Sequence, residues 1–157
     1  MQITLRFIRY FLMTSLLIAC LLIVIATLLL RGSLPQYDGR TALPGLSAPV
    51  FVDRDELGSV TITGENRLDL TMAMGHIHAK ERFFEMDLMR RQAAGELSEL
   101  FGTAAITHDR RARQFRMRAR AAAVLNQLPA EQRQLLDAYQ LGVNKGISTL
   151  TVRPFPY

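Results

Sequence analysis

His76, His78 and His108 are the residues best suited to move a proton or hold a metal ion. His76 and His78 stand two apart, so on a helix they point about 200° away from each other. Only a strand would bring them to one face, and their neighbours have helical spacing. His108 stands alone. No H-E-x-x-H pair and no acidic loop with calcium spacing occurs. Carboxylates cluster at Glu81, Glu85, Asp87, Glu96 and Glu99, but arginines accompany them. Arg82 precedes Glu85 by three residues, and Arg90 and Arg91 follow Asp87 by three and four. That is the spacing of ion pairs along a helix, and it requires no general-acid role. Ser33, Ser47, Ser59, Ser98 and Ser148 lack a G-x-S-x-G or S-x-x-K setting. There is no phosphate loop and no dinucleotide fingerprint. Residue chemistry alone gives no complete active site, so no residue is assigned a catalytic, cofactor-binding or metal-ligating role.

The composition narrows the classes further. The 157 residues carry a formal net charge of +5, with 19 basic against 14 acidic side chains, almost all of the basic ones arginine. A basic balance fits nucleic acid, a membrane surface or plain solvation. No aromatic residues interleave regularly with the arginines and no nucleic-acid module appears, so no nucleic-acid partner is expected. The single cysteine, Cys20, excludes an intrachain disulfide and any site of several thiolates.

Several elements must position these side chains. Tyr10–Leu30 runs for 21 residues without a charge, enough to span a hydrocarbon core of roughly 30 Å as a helix. Arg6, Arg9 and the amino terminus favour a cytoplasmic N-terminus, an asymmetry that Arg31 weakens. The reading adopted is an uncleaved single-pass anchor in a bacterial-type inner membrane, with the body on the periplasmic or extracytoplasmic side. A cleaved signal peptide is a second reading, but no small-x-small site follows Leu28-Leu29-Leu30. A lipoprotein signal is a third, because Leu17-Ile18-Ala19-Cys20 resembles a lipobox, although Leu21–Leu30 stays apolar after it. Residues 1–31 thus form the anchor and 32–48, rich in proline and glycine, an extended linker. Residues 49–157 form the body.

Within the body, Pro49–Thr63 alternates apolar and polar residues on either side of Arg54-Asp55-Glu56-Leu57-Gly58, which predicts a short β-hairpin. Asn66 is set to cap a helix running to Ala94, with Gly95 breaking it and Glu96–Phe101 adding a turn or two. Gly102 stands where a left-handed C-terminal residue belongs. Asp109 is set to cap a further helix from Arg110 to about Gln127. Its arginines spread around the helix and read as a solvated face in preference to a polyanion site. Pro129 opens a last helix, whose Leu135, Leu136, Tyr139, Val143, Ile147 and Leu150 form a core-facing stripe weakened by Gly142 and Gly146. The fold class is therefore mainly α with a short β-hairpin and an N-terminal transmembrane helix.

Several stretches carry a resemblance to a known family. Val52-Asp53-Arg54-Asp55-Glu56-Leu57-Gly58 resembles a hairpin of pattern V-x-R-D-x-x-G. Gly75 to Asp87, with Arg90 and Arg91, resembles a helix reading G-[FY]-V-x-A-Q-D-R-[LF]-F-Q-M-[DE]-x-x-R-R. Gly95, Leu97, Glu99, Leu100 and Gly102 follow it in order. Asp109 with Arg111, and Ala138-Tyr139 with Gly142-Val143-Asn144, resemble two later elements. Together they are similar to the N-terminal small-chain region of the penicillin acylase family, from about residue 31 to 157. There are departures. Lys80-Glu81-Arg82 stands for Q-D-R, Glu85 for the usual glutamine, and Ser59-Val60-Thr61-Ile62 for V-P-H-I.

The resemblance implies a fragment of an αββα N-terminal-nucleophile fold and hydrolysis of linear amides in acylated amines such as β-lactams or acyl-homoserine lactones. It implies a serine nucleophile at the head of a separate large chain, which is the expected partner. The family's structural calcium is bound largely outside this region, so no cofactor is assigned to this chain. On this reading the chain alone is inactive. The alternative is a membrane-anchored helical binding module, or a degenerate truncated gene product, without catalysis.

Overall fold

The computed structural model describes residues 2–32 and 37–149. They fall into two units. The first holds α1, Gln2–Gly32. Its Arg9–Arg31 portion is 23 residues long and apolar enough to cross a membrane by length and composition, properties that a signal sequence shares. Thr14 donates its hydroxyl back to the Tyr10 and Phe11 carbonyls, and Thr27 to that of Val24. Both hydroxyls are thus satisfied inside the helix.

The second unit, from Tyr37 to Thr149, begins with the hairpin. β1 (Phe51–Arg54) and β2 (Val60–Thr63) pair antiparallel, with Phe51 opposite Thr63 and Arg54 opposite Val60. Asp55 makes the turn: its Oδ1 accepts from the backbone of Leu57 at 3.0 Å and of Ser59 at 2.7 Å. Arg54, expected in the turn, is the last residue of β1. There its guanidinium pairs with Glu81 and lies 4.7 Å above the Tyr37 ring.

Six helices follow. α2 (Arg67–Glu81) is capped as expected, with the Asn66 side chain accepting from the Asp69 backbone at 2.8 Å. The single helix expected to reach Ala94 is interrupted at Arg82, whose φ of −131° leaves the helical range. α3 (Phe83–Ala94) starts directly after it. The hydrogen-bond ladder survives this kink, since Arg82 donates to His78 and accepts from Met86. Gly95 ends α3 in the left-handed region, with the Glu96 backbone N–H returning to the Arg91 carbonyl, a Schellman closure. α4 (Ser98–Phe101), a 3-10 turn (Gly102–Ala105), α5 (Ile106–Gln114) and α6 (Met117–Leu125) complete this side. Gly102 has a positive φ of 62° but a ψ of −143°, outside the left-handed helical region expected of it.

The helix expected from Arg110 to Gln127 is two helices. Arg116 sits between them with φ 51° and ψ 40°, left-handed values unusual for a side chain with a Cβ. Asp109 does not cap that helix either; it lies inside α5 and turns its carboxylate toward α4.

α7 (Ala130–Ser148) follows Pro129 and packs along α2. Gly142 and Gly146, which looked like weak points, are the buried centre of this contact. A Cβ on Gly142 would fall deep inside the carbonyl oxygen of Met72, and one on Gly75 inside that of Tyr139. A Cβ on Gly146 would lie 2.7 Å from the His76 carbonyl oxygen. The three glycines let two backbones touch, so helix-breaking residues stabilise the pair by close approach. The buried apolar side chains of the described residues are small or flexible: Met72, Ala73, Ala79 and Ala105. Of the expected stripe, Leu135, Tyr139, Val143 and Ile147 are part-buried and Leu136 is exposed; Leu150 lies outside the described residues.

Candidate functional site

The two histidines of α2 face different surroundings. His76 is buried at the α2–α7 contact, and its Nδ1 has no hydrogen-bond partner. Burial first, and the Lys80 charge second, hold its pKa below the ordinary 6.5. His78 Nδ1 shares a hydrogen bond of 2.9 Å with the Tyr139 hydroxyl, tying α2 to α7 edge-on through the two rings. Burial pushes the Tyr139 phenol up, away from any role as a base at neutral pH. His108 lies on α5, 3.8 Å from Asp109. The structure brings no two of the three histidines together as a pair.

The carboxylates are engaged as ties between elements. The Asp69 carboxylate accepts from the backbone and hydroxyl of Ser47, from the Ala48 backbone and from the Asn66 amide, at 2.6–3.0 Å. Those donors, Ser47 first, hold its pKa at about 2. They also fasten the end of the proline-rich linker onto the start of α2. Asp87 is buried on α3 and accepts from Arg90 at 2.7 Å and Arg91 at 2.6 Å. Arg91 continues to Glu99, while Arg90 and Arg118 share Glu96. This chain of charges links α3, the α3–α4 turn, α4 and α6. The expected Arg82–Glu85 pair is present only as an exposed 4.0 Å approach.

Asp109 accepts from the backbone N–H groups of Leu97 and Ser98, at 3.0 and 2.8 Å, at the start of α4. Burial alone would push its pKa up, but the hydrogen bonds from Ser98 and Leu97 outweigh it and the net direction is down. Arg113 donates to the Gly95 carbonyl at 2.9 Å, closing the same corner. Gly95 is required there twice over. Its φ is 73°, and a Cβ would lie 2.7 Å from the Asp109 carbonyl oxygen. Sequence spacing revealed the Asp87 pairs; it gave no sign of the Asp69 and Asp109 ties, whose partners lie 22 and 12 residues away.

Two open grooves flank Met117. One, of about 450 Å³, is lined by Ala94, Ala119 and Ala122 together with Arg113, Arg116 and Arg118. The other, of about 470 Å³, is lined by Met89, Ala93, Phe115 and Arg111 among others. Neither contains a nucleophile beside a base. Among the described residues, no group of three His, Cys, Asp or Glu side chains is placed to hold a metal ion.

These environments set the response to acid. His76 is kept neutral when folded, while the unfolded imidazole protonates near pH 6.5. Its contribution is therefore complete above about pH 6.5 and declines as the pH falls below that value. Asp69 contributes fully above about pH 4, and that contribution is lost as the pH falls through its folded value of about 2. Acid unfolding followed by helical circular dichroism is expected to show both stages. His76→Leu should remove the upper stage and leave the lower one. An upper stage that persists in His76→Leu would show that another group governs it.

The family model described as penicillin amidase matches residues 49–157. Penicillin acylase 2 proenzyme of Pseudomonas sp. (strain SE83) is 36% identical over 128 residues, covering 82% of this chain and 16% of that protein. The acyl-homoserine lactone acylase QuiP of Pseudomonas putida is 31% identical over 114 residues, covering 73% of this chain and 14% of that protein. The chain thus spans about a seventh of the length of these relatives. Among solved structures, a thermostable penicillin G acylase from Alcaligenes faecalis superposes with a TM-score of 0.59 at 25% identity, covering 69% of this chain and 58% of that one. The match over more than two thirds of the residues, the hairpin followed by the α2–α7 pair, and the shared fold lead to one conclusion: this chain belongs to the penicillin amidase family.

Proposed function

We propose that this chain forms the N-terminal scaffold of a penicillin-acylase-type hydrolase acting on linear amides of acylated amines, β-lactams or acyl-homoserine lactones among them. The nucleophile, on this reading a serine heading a separate large chain, comes from polypeptide outside these 157 residues. The observation that carries the reading is the assignment of the charged groups. Asp69, Asp87 and Asp109 each fasten one element to another, and His78 is bound to Tyr139. Supporting it, the family match covers the whole of the helical body after the hairpin begins. Purified alone, the chain is expected to leave acyl amides and acyl-homoserine lactones intact. Measurable release of the free amine by the chain alone would overturn the scaffold assignment.

The same proposal makes residues 1–31 a single-pass anchor through Tyr10–Leu30, residues 32–48 a linker, and residues 49–157 an extracytoplasmic body. The length and hydropathy of Arg9–Arg31 support it. A phosphatase active only outside the cytoplasm, fused after Thr149, should be active. The full-length band should stay with membranes through an alkaline wash. A shortened, soluble band would instead identify a cleaved signal sequence, and an inactive fusion would reverse the orientation.

A further inference from the structure

We propose that the groove lined by α3, α5 and the start of α6 binds a small organic monoanion, an aliphatic carboxylate with a single apolar tail. The groove measures about 470 Å³, within the roughly 300–1,000 Å³ usual for small-ligand sites. Its apolar lining comes from Met89 and Ala93 of α3, Ala112 of α5, Phe115 just after α5, and Met117 at the head of α6. Three helices therefore contribute to one concave surface, although the residues involved are 28 positions apart at their extremes.

Arg111 supplies the charge. Its guanidinium makes no hydrogen bond or ion pair among the described residues, whereas Arg113 is committed to the Gly95 carbonyl. The described residues lining the groove include no Asp or Glu. The Asp109 carboxylate, 3.8 Å from His108, is already taken by the Leu97 and Ser98 N–H groups. A ligand carboxylate therefore meets a free planar donor fork, which it can match in two parallel hydrogen bonds. Gln92 and His108 add polar side chains to the lining. One free guanidinium balances one negative charge, so a monocarboxylate suits the groove better than a phosphate monoester, which carries nearly two.

The apolar lining selects the tail. Methionine is unbranched and polarisable, so two methionines adapt to a flexible chain. Met89 is 68% exposed, Phe115 61% and Met117 47%, so most of this apolar surface is uncovered within the unit. The groove is also preorganised. Gly95 brings α3 against α5 so closely that a Cβ there would lie 2.7 Å from the Asp109 carbonyl oxygen. Arg113 closes the same corner by donating to the Gly95 carbonyl at 2.9 Å. The two helices are thus held at a fixed separation before a ligand arrives, which lowers the cost of binding it.

The test places the full 157-residue chain in phosphatidylcholine nanodiscs and follows amide hydrogen exchange by mass spectrometry, with octanoate as the probe. Octanoate is expected to raise protection in peptides covering residues 89–93 and 108–117. Acetate, which lacks the tail, and octylamine, which reverses the charge, should leave those peptides unchanged. Arg111→Gln is expected to weaken the octanoate effect about tenfold. Ala93→Leu, which fills the groove while keeping α3 helical, should weaken it as much. Arg120→Gln removes an equally unpaired guanidinium outside the groove and should behave as the native chain. Equal helical circular dichroism of the four chains would show that folding is preserved. Absence of localised protection by octanoate would overturn the site, as would equal protection by octylamine or native behaviour of Arg111→Gln. Protection of the same peptides by phosphatidylglycerol in the disc, with none from octanoate, would assign the surface to a lipid headgroup and also overturn it. Each of these outcomes leaves the scaffold reading untouched.

Discussion

Replacing Gly142 with alanine is expected to lower amide protection across α2 and α7 about 100-fold, a loss of about 3 kcal/mol. The new methyl group would meet the Met72 carbonyl oxygen and then the His76 backbone nitrogen. Neither obstacle can rotate away, because both are main chain. The helices must separate, and Met72, Ala73 and Ala79, three of the four buried apolar side chains of the described residues, lose their packing. Alanine is intrinsically the better helix former by about 1 kcal/mol, so the steric cost outweighs an opposing gain. Native-state hydrogen exchange by mass spectrometry reads the effect segment by segment. Protection that is unchanged, or raised by the better propensity, would show that the two helices do not touch at Gly142.

The second large effect concerns Asp87. Its carboxylate is buried and joined to two arginines, of which Arg91 is only 16% exposed in its side chain. Truncation to alanine leaves Arg91 largely desolvated beside the ends of α3 and α4. Breaking one partner from a buried pair costs about 3 kcal/mol. Because Arg91 also holds Glu99, and Arg90 and Arg118 share Glu96, the corner from α3 to α6 should loosen as a unit. Protease sensitivity between Gly95 and Leu125 is the readout. The double replacement Asp87→Leu/Arg91→Met should recover part of the loss, since it removes along with Asp87 the part-buried guanidinium that Asp87→Ala leaves with Glu99 alone. If Asp87→Ala were as resistant as the native chain, the network would be decorative.

The parts of this fold legible in the sequence are those whose signal is local. Alternation of Val60 and Ile62 with threonines announces β2, Asn66 announces the start of α2, and Gly95 announces the end of α3. The Asp87–Arg90–Arg91 pairs follow from helical spacing. The misreadings have equally physical origins. Arg82 and Arg116 interrupt helices without glycine or proline, because packing beyond the helix sets their backbone angles and local propensity does not. Gly142 and Gly146 looked destabilising because propensity scores a glycine without knowing that a second backbone lies against it. Asp109 stands where an N-cap belongs, yet the carboxylate caps a different helix whose start is 11 residues earlier. The family could be recognised because several motifs recur in order. The site could not be assembled from residue types, since the charged clusters of Glu81–Glu99 serve as ties.

The central claim is that these residues position catalytic chemistry supplied from elsewhere in a penicillin amidase family hydrolase. The most direct measurement is acyl-amide hydrolysis by the purified 157-residue chain, alone and assembled with the complementary part of the Pseudomonas sp. SE83 penicillin acylase 2 polypeptide. The expected result is no turnover by the chain alone and turnover by the assembly, abolished when the serine that the proposed function places at the head of the complementary large chain is replaced by alanine. Turnover by the chain alone, or turnover by the assembly that survives loss of that serine, would contradict the account.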